Sequence, residues 1–172
     1  DTVRRQRQMC IRDSFNGMGI YRSTDGETFN ALGNTSSFGN VFVLTAHPTT
    51  NHIYAGSSNG LRVSEDGGDT WKLVRGGSCR DMKFNKNGVL IASIGNTIWR
   101  SSNPNDGSSY QSITGFSNNG RAAIAWAESD DNYCYIITVG TVQFDGQTYS
   151  GGSLTGLYLS LIHISEPTRQ SP

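Results

Sequence analysis

A repeat of about 40 residues dominates the sequence and limits the folds that it can adopt. The stretch GIYRSTDGETF at 19–29 matches GLRVSEDGGDTW at 60–71, and a looser copy runs from TIWRS at 97–101 to DGSSY at 106–110. The aspartates at 25, 66 and 106 lie 41 and 40 residues apart, and a fourth copy begins with GLYLS at 156–160. This period indicates one supersecondary unit that recurs along the chain.

Each period contains short apolar runs separated by Gly, Asn, Ser and Asp. The predicted strands are 41–46, 52–56, 60–64, 70–74, 81–84, 89–94, 97–101, 110–113, 122–127 and 133–139. Asn-Gly and Gly-Asn pairs suit the tight hairpins between them because they tolerate positive φ. A Gly/Ser/Thr-rich insertion of about 19 residues with Phe144 and Tyr149 follows. We expect it to be a partner-binding loop or a plain surface excursion.

Four antiparallel strands per repeat predict an all-β fold, a partial β-propeller built of four-stranded antiparallel blades. One such sheet cannot bury both of its faces, so blades stack on one another around an axis. Residues 15–158 hold about 3.5 periods, whereas a closed ring needs some 4–8 blades. We therefore expect a propeller fragment whose neighbours are missing blades of the same chain, and whose bare sheet faces cause aggregation.

The two ends of the chain differ from this repeating interior. Residues 1–14 (DTVRRQRQMCIRDS) and 159–172 (LSLIHISEPTRQSP) resemble translated sequencing-adapter reads, and we expect both to be non-native; the alternative is a genuine basic N-terminal arm. The chain carries 14 basic and 14 acidic residues, and the interior alone carries nine and eleven. Neither balance suits a nucleic-acid binder. No apolar run is long enough to span a membrane.

Ser64, Asp66, Gly68, Thr70 and Trp71 fit a hairpin tip between the third and fourth strands of a blade. Ser and Asp side chains can bond to nearby backbone N–H groups, glycine permits positive φ, and the Trp can pack between adjacent sheets. These residues resemble the Asp-box, also called the bacterial neuraminidase repeat. Related positions are Ser23, Asp25, Gly26, Thr28 and Phe29 in the first copy and, more degenerate, Ser101, Asp106, Gly107 and Tyr110 in the third.

The resemblance implies several functions. Asp-box proteins include sialidases, xyloglucan-cleaving glycoside hydrolases, sortilin-type receptors, photosystem II assembly factors and secreted bacterial proteins. Segments 47–60 and 121–135 look most like the sortilin-like and secreted bacterial members. In this family the box is structural, so it implies no catalytic residue. The resemblance implies a non-catalytic extracellular or envelope protein that binds a protein or a glycan. The alternatives are a secreted glycoside hydrolase, xyloglucanase-like rather than sialidase, and an assembly chaperone of the photosystem II type.

Each enzymatic alternative requires particular residues. A sialidase binds its substrate carboxylate with three arginines, and the interior arginines are Arg22, Arg62, Arg75, Arg80, Arg100 and Arg121. Arg22 and Arg100 occupy equivalent strand positions beside a box serine, which favours solvated strand residues. A glycosidase needs two carboxylates across a cleft. The candidates are Asp81, Glu128, Asp130, Asp131 and Asp145, of which Asp81 begins a predicted innermost strand. For each candidate the plainer interpretation is a turn or rim carboxylate.

Metal and redox sites have little support in the sequence. His47 and His52 flank a proline turn without a Cys or carboxylate at ligand spacing, and the box aspartates lack the alternating oxygens of a calcium loop. We therefore expect no metal and no cofactor. Cys79 and Cys134 are predicted to be buried thiols or, if they come within about 6 Å, a disulfide.

Overall fold

The computed structural model describes residues 19–115, 121–127, 130, 132–145 and 147–161. In these ranges the regular structure consists of β-strands and two short 3₁₀ helices, Gly33–Phe38 and Gly107–Ser109. The strands are β1 Tyr21–Arg22, β2 Asn30–Ala31, β3 Val41–Ala46, β4 Ile53–Ser57, β5 Gly60–Ser64, β6 Lys72–Arg75, β7 Cys79–Phe84, β8 Leu90–Ile94, β9 Thr97–Ser101, β10 Gln111–Ile113, β11 Arg121–Trp126, β12 Tyr133–Phe144 and β13 Gln147–Leu161.

These strands form antiparallel sheets in which each strand pairs with the next one in sequence. Strands β3–β6 make sheet I, β7–β10 make sheet II, and β11–β13 make sheet III; β1 and β2 form a separate hairpin. The prediction of an all-β chain of four-stranded antiparallel sheets is confirmed. The predicted bounds of β3, β5 and β9 agree with the structure to the residue.

The core lies between successive sheets. The largest cluster joins sheet I to sheet II, with Tyr54, Leu61 and Val63 facing Met82 and Leu90. A second cluster joins sheet II to sheet III through Ile91, Ile98, Ala122, Ile124, Cys134 and Ile136. A smaller one packs Ile20 and Phe38 against Ala55 of sheet I. Burying each large aliphatic side chain contributes about 1.5–3 kcal/mol, so stacking of the sheets is the main source of stability.

The first strands of the three sheets lie side by side and run in the same direction. Backbone N–H of Ile124 bonds to the Asp81 carboxylate at 2.8 Å, and the Trp126 indole bonds to the Lys83 carbonyl at 3.1 Å. In each pair the two residues are 43 positions apart, so residue numbers increase in the same direction along β7 and β11. We call β3, β7 and β11 the inner strands. The end at which they begin, where the β4–β5 and β8–β9 turns also lie, is the mouth end.

The insertion forms a long hairpin instead of a loop. Strands β12 and β13 pair from Tyr133 opposite Leu161 to Phe144 opposite Gln147. Strand β11 is shorter, because its first residue, Arg121, pairs with Val139 and the rest of β12 extends beyond it. The hairpin therefore projects past sheet III at the mouth end. Bulges after Thr138 and Gly140 accommodate the many glycines. Those glycines hide the alternating pattern by which a strand is recognised in sequence.

One face of sheet III is exposed in the described part of the chain. Tyr135 pairs with Leu159 and Ile137 pairs with Leu157 on this face. The four side chains are between 42% and 66% exposed. The opposite face, with Cys134 and Ile136, is buried against sheet II. Each sheet thus covers its predecessor, and the last one described presents an apolar face.

Candidate functional site

The first two turns that resemble the Asp-box have the same pattern of hydrogen bonds. Asp25 Oδ1 accepts from the backbone N–H of Thr28 at 2.8 Å, and Asp66 Oδ1 accepts from the N–H of Thr70 at 2.8 Å. In each turn the box serine donates to the aspartate and accepts a glycine N–H, from Gly26 in the first copy and from Gly68 in the second. Gly26 has φ 80° and Gly68 has φ 105°, values that side chains rarely adopt.

The Asp66 network also explains where β6 begins. The Thr70 hydroxyl donates to Asp66 Oδ2 at 2.5 Å, in addition to its backbone bond. Because Thr70 is held in the turn in this way, the predicted start of the fourth strand at residue 70 moves to Lys72.

The third turn is built differently. Asp106 accepts from Ser108 N–H at 2.9 Å, whereas the Ser101 hydroxyl lies 2.5 Å from the Ser109 hydroxyl and makes no hydrogen bond to Asp106. A 3₁₀ helix begins at Gly107, where a Cβ would lie 2.4 Å from the Val74 carbonyl oxygen. Tyr110 is buried, and its hydroxyl donates to the Pro104 carbonyl at 2.9 Å.

The turn aspartates are stabilised as anions. The Thr28 N–H lowers the pKa of Asp25 well below its usual range, and the Thr70 hydroxyl and N–H do the same for Asp66. The pKa of Asp106 is lowered chiefly by the Ser108 N–H. Carboxylates held in this way accept hydrogen bonds and are poor proton donors, so they do not act as general acids.

The two box aromatics have different surroundings. Trp71 packs edge-on against Phe38, with ring centroids 5.5 Å apart, and its indole N–H donates to the Gly68 carbonyl at 2.9 Å. Phe29, at the equivalent position of the first copy, is 60% exposed. In the described residues, no sheet precedes the β1–β2 hairpin to cover it.

The interior arginines are dispersed. Arg22 is an exposed strand residue, as expected, and it also bridges the first two turns by bonding to the Gly67 carbonyl at 3.0 Å and to Asp69 at 2.9 Å. The Arg62 guanidinium stacks on Phe38 at 4.3 Å, and that of Arg75 stacks on Trp99 at 3.5 Å. Nε of Arg100 is buried without a partner. The structure does not bring these four together around a common point.

Asp81 lies on inner strand β7, as expected, and both of its carboxylate oxygens are engaged. Oδ1 accepts from Met82 N–H at 3.0 Å, and Oδ2 accepts from Ile124 N–H at 2.8 Å. The side chain thus fixes β11 beside β7. A carboxylate with two backbone donors is rigidly placed, which suits either a structural link or a positioned anion.

The remaining carboxylate candidates lie elsewhere. Asp130 caps a turn by accepting from Asn132 N–H at 2.9 Å, and Asp145 stands at the tip of the β12–β13 hairpin with φ 50°. Glu128 and Asp131 lie outside the described residues.

Several contacts between sheets have no clear signal in the repeat. Asn105 reaches from the third turn to sheet I, where its Nδ2 lies 3.0 Å from His52 Nδ1 and 2.7 Å from Glu65 Oε1. Its Oδ1 accepts from the Tyr54 hydroxyl. The extra residues of SNPND, which make this copy degenerate, place the asparagine there. They are the only hint of this contact in the sequence.

The described residues contain no cluster of three or more His, Cys, Asp or Glu side chains that could hold a metal ion. His47 packs edge-on against Phe84, with ring centroids 4.9 Å apart, and its pKa is lowered by burial and by His52. Cys79 and Cys134 are free, buried thiols rather than a disulfide. Burial raises the pKa of each to about 12, with a further contribution from Asp81 at Cys79. In the same ranges, no helix is long and apolar enough to cross a membrane.

No protein-family model matches the sequence, and the search of curated proteins gives no match. Among solved structures, the chain is similar to the crystal structure of an ancestral GH74 enzyme, with a TM-score of 0.63 and 23% identity. The similarity covers 86% of this chain and 20% of that one, so the chain spans about a fifth of the length of the enzyme. GH74 enzymes are β-propeller glycoside hydrolases. The fold is therefore that of β-propeller blades.

Proposed function

We propose that this chain is a segment of a propeller glycoside hydrolase of the xyloglucanase type. The observation that supports the proposal is the structural similarity to a GH74 enzyme across most of the chain. The order of the sheets agrees with it, because inner strands β3, β7 and β11 lie side by side as in a ring of blades. A polysaccharide substrate also favours an extracellular or envelope location.

In this proposal, inner strand β7 supplies one of the two carboxylates of a glycosidase. Hydrolysis of a glycosidic bond needs an acid and a second carboxylate that acts as base or nucleophile. Asp81 is accessible to solvent in part and is held by the N–H groups of Met82 and Ile124. The two donors fix the position of its carboxylate, as either role requires. The acid would come from another blade.

The second candidate is a non-catalytic blade segment that binds a glycan or a protein. It is favoured by the same pair of hydrogen bonds at Asp81, because a carboxylate that links β7 to β11 has a sufficient structural role. In the first candidate Asp81 takes part in hydrolysis, whereas in the second it only links β7 to β11.

The test is an assay of the protein encoded by the natural gene that contains residues 15–158. We expect release of reducing ends from xyloglucan, and its loss in Asp81→Asn. The asparagine oxygen can replace only one of the two acceptors, so circular dichroism checks that the variant is folded. Asp69→Asn is the matched control because its carboxylate makes only an exposed ion pair with Arg22. Binding of xyloglucan without cleavage would support the second candidate. Cleavage that survives in Asp81→Asn would exclude Asp81 as a catalytic residue.

A further inference from the structure

Two bulges stand at equivalent places near the starts of neighbouring inner strands. The pairing of β3 with β4 shifts between Val41 and Val43, so Phe42 is the extra residue. The pairing of β7 with β8 shifts between Cys79 and Asp81, so Arg80 is the extra residue. A bulge turns its extra side chain away from the regular sheet position and is common beside functional sites.

The two bulged side chains meet in front of the inner strands. The Arg80 guanidinium lies 5.3 Å from the centre of the Phe42 ring. Both are exposed, Phe42 by 36%. Arg121, the first residue of β11, is exposed at the same end of the next inner strand. We call Phe42, Arg80 and Arg121 the mouth cluster.

Arg80 and Arg121 differ from the other interior arginines in being exposed without a side-chain hydrogen bond in the described residues. Arg22 forms an ion pair, Arg75 bonds to the Gly107 carbonyl, and Arg62 bonds to the Ser57 hydroxyl. Within the described residues, neither the Arg80 side chain nor the Arg121 side chain donates a hydrogen bond or joins an ion pair. Arg100 also makes no side-chain hydrogen bond, but it is half-buried. The nearest carboxylate in sequence, Asp81, already accepts from two backbone N–H groups.

This arrangement offers one planar cation beside an apolar ring and a second, Arg121, at the start of the adjacent inner strand. A guanidinium binds a carboxylate through two parallel hydrogen bonds, which a neutral hydroxyl cannot match. The open part of the Phe42 ring can contact the C–H face of a sugar. Asp81 lies beside Arg80 in sequence, and Asp145 stands at the tip of the hairpin that projects past this end. Neither carboxylate forms an ion pair with Arg80 or Arg121 in the described residues.

We propose that the mouth cluster binds the carboxylate of an acidic saccharide, a hexuronate residue of a polysaccharide chain. The choice of a saccharide rests on the proposed function, whereas the acidic group is inferred from Arg80 and Arg121 alone. The inference concerns binding, so it can fail while hydrolysis of a neutral glucan is observed, and it can hold where no hydrolysis occurs.

The test uses the full 172-residue chain and titration calorimetry with a matched pair of probes. One probe is a β-1,4-linked glucuronate trisaccharide, and the other is cellotriose, which differs only at C6. We expect binding of the acidic probe that weakens with added salt, and at least about tenfold weaker binding of cellotriose. Free sulfate at equal concentration should compete poorly because it lacks the sugar face.

Variants locate the site. Arg80→Gln and Arg121→Gln should each weaken binding of the acidic probe by about tenfold or more. Arg22→Gln removes the same charge at the outer turns and should leave the affinity unchanged. Because the two mouth arginines stand on different strands, either variant alone tests the site if the other fails to fold. Equal affinity for both probes, or an Arg22→Gln effect as large as that of the mouth variants, would overturn the inference.

Discussion

Oδ2 of Asp81 accepts a hydrogen bond from the backbone N–H of Ile124, 43 residues further along the chain. Sheets II and III are therefore joined at their innermost strands by a side chain as well as by apolar packing. This single contact bears on stability and on the proposed chemistry, and the two can be separated by experiment.

Asp81→Ala should destabilise the 172-residue chain by about 1–3 kcal/mol, because it leaves the N–H of Ile124 without its acceptor. Urea titration followed by tryptophan fluorescence measures the change. Glu27→Ala is the control, because that side chain is exposed and makes no hydrogen bond in the described residues, and it should lie within about 0.5 kcal/mol of the unchanged chain. Equal midpoints for Asp81→Ala and the unchanged chain would show that the contact has no energetic value.

Trp71→Ala should cost about 2–3 kcal/mol, less than the full cost of deleting a buried Trp because the ring is only partly buried. Phe29→Ala offers a matched comparison at the equivalent position, where the ring is 60% exposed. We expect less than about 1 kcal/mol there. The denaturation midpoint of Trp71→Ala should lie below that of Phe29→Ala. The reverse order would contradict the packing described for Trp71.

Asp66→Asn should make stability less dependent on acid pH. The pKa of Asp66 is lower in the folded chain than its unfolded value of about 4. Its stabilisation is therefore fully present above that value and is lost as the pH falls through the folded pKa. Melting temperatures between neutral pH and about pH 3 should fall less steeply in the variant than in the unchanged chain. Parallel slopes would contradict the role given to this carboxylate.

Asn105→Ala should weaken the junction of sheets I and II by about 1–3 kcal/mol, because it removes partners of Tyr54, His52 and Glu65 together. Asn103→Ala in the same turn is the control, since its side chain is exposed. Hydrogen exchange of β4 should increase in the first variant alone. Unchanged protection of β4 would argue against a link through Asn105.

Cys79 and Cys134 should resist thiol reagents in the folded chain, because burial raises the pKa of each to about 12 and keeps reagent away. The measurement is the reaction with Ellman's reagent in a Cys10→Ser variant, before and after addition of guanidinium. We expect two thiols to appear only in denaturant. Rapid reaction at neutral pH without denaturant would contradict the burial of both residues.

The repeat predicted the strands well because the alternation of apolar residues and the turn residues that bound each strand are local features of the sequence. Turn glycines and asparagines fixed β5 and β9 to the residue. The long hairpin was predicted only as far as residue 139, because its glycines and serines break the alternation between Val139 and Leu154. The start of β6 was displaced by a side-chain bond to Asp66, which a strand pattern does not reveal.

The contacts between sheets could be predicted much less well. The ion pair of Arg22 with Asp69 joins residues 47 positions apart, and the hydrogen bond of Asn105 with Glu65 joins residues 40 positions apart. Such contacts depend on the relative placement of two sheets, which the spacing of a repeat does not specify. The mouth cluster was missed for a related reason, since a bulge at Phe42 or Arg80 leaves no mark in the sequence.

Pairing of each strand with its immediate successor also has a consequence for synthesis. A sheet such as β3–β6 is complete once Arg75 has left the ribosome, and it needs no segment that is translated later. Its successor then folds against a ready-made surface, so assembly follows the direction of translation. At every stage the nascent chain carries one uncovered apolar face, as sheet III does at Leu157 and Leu159, and chaperones that bind such surfaces would act there.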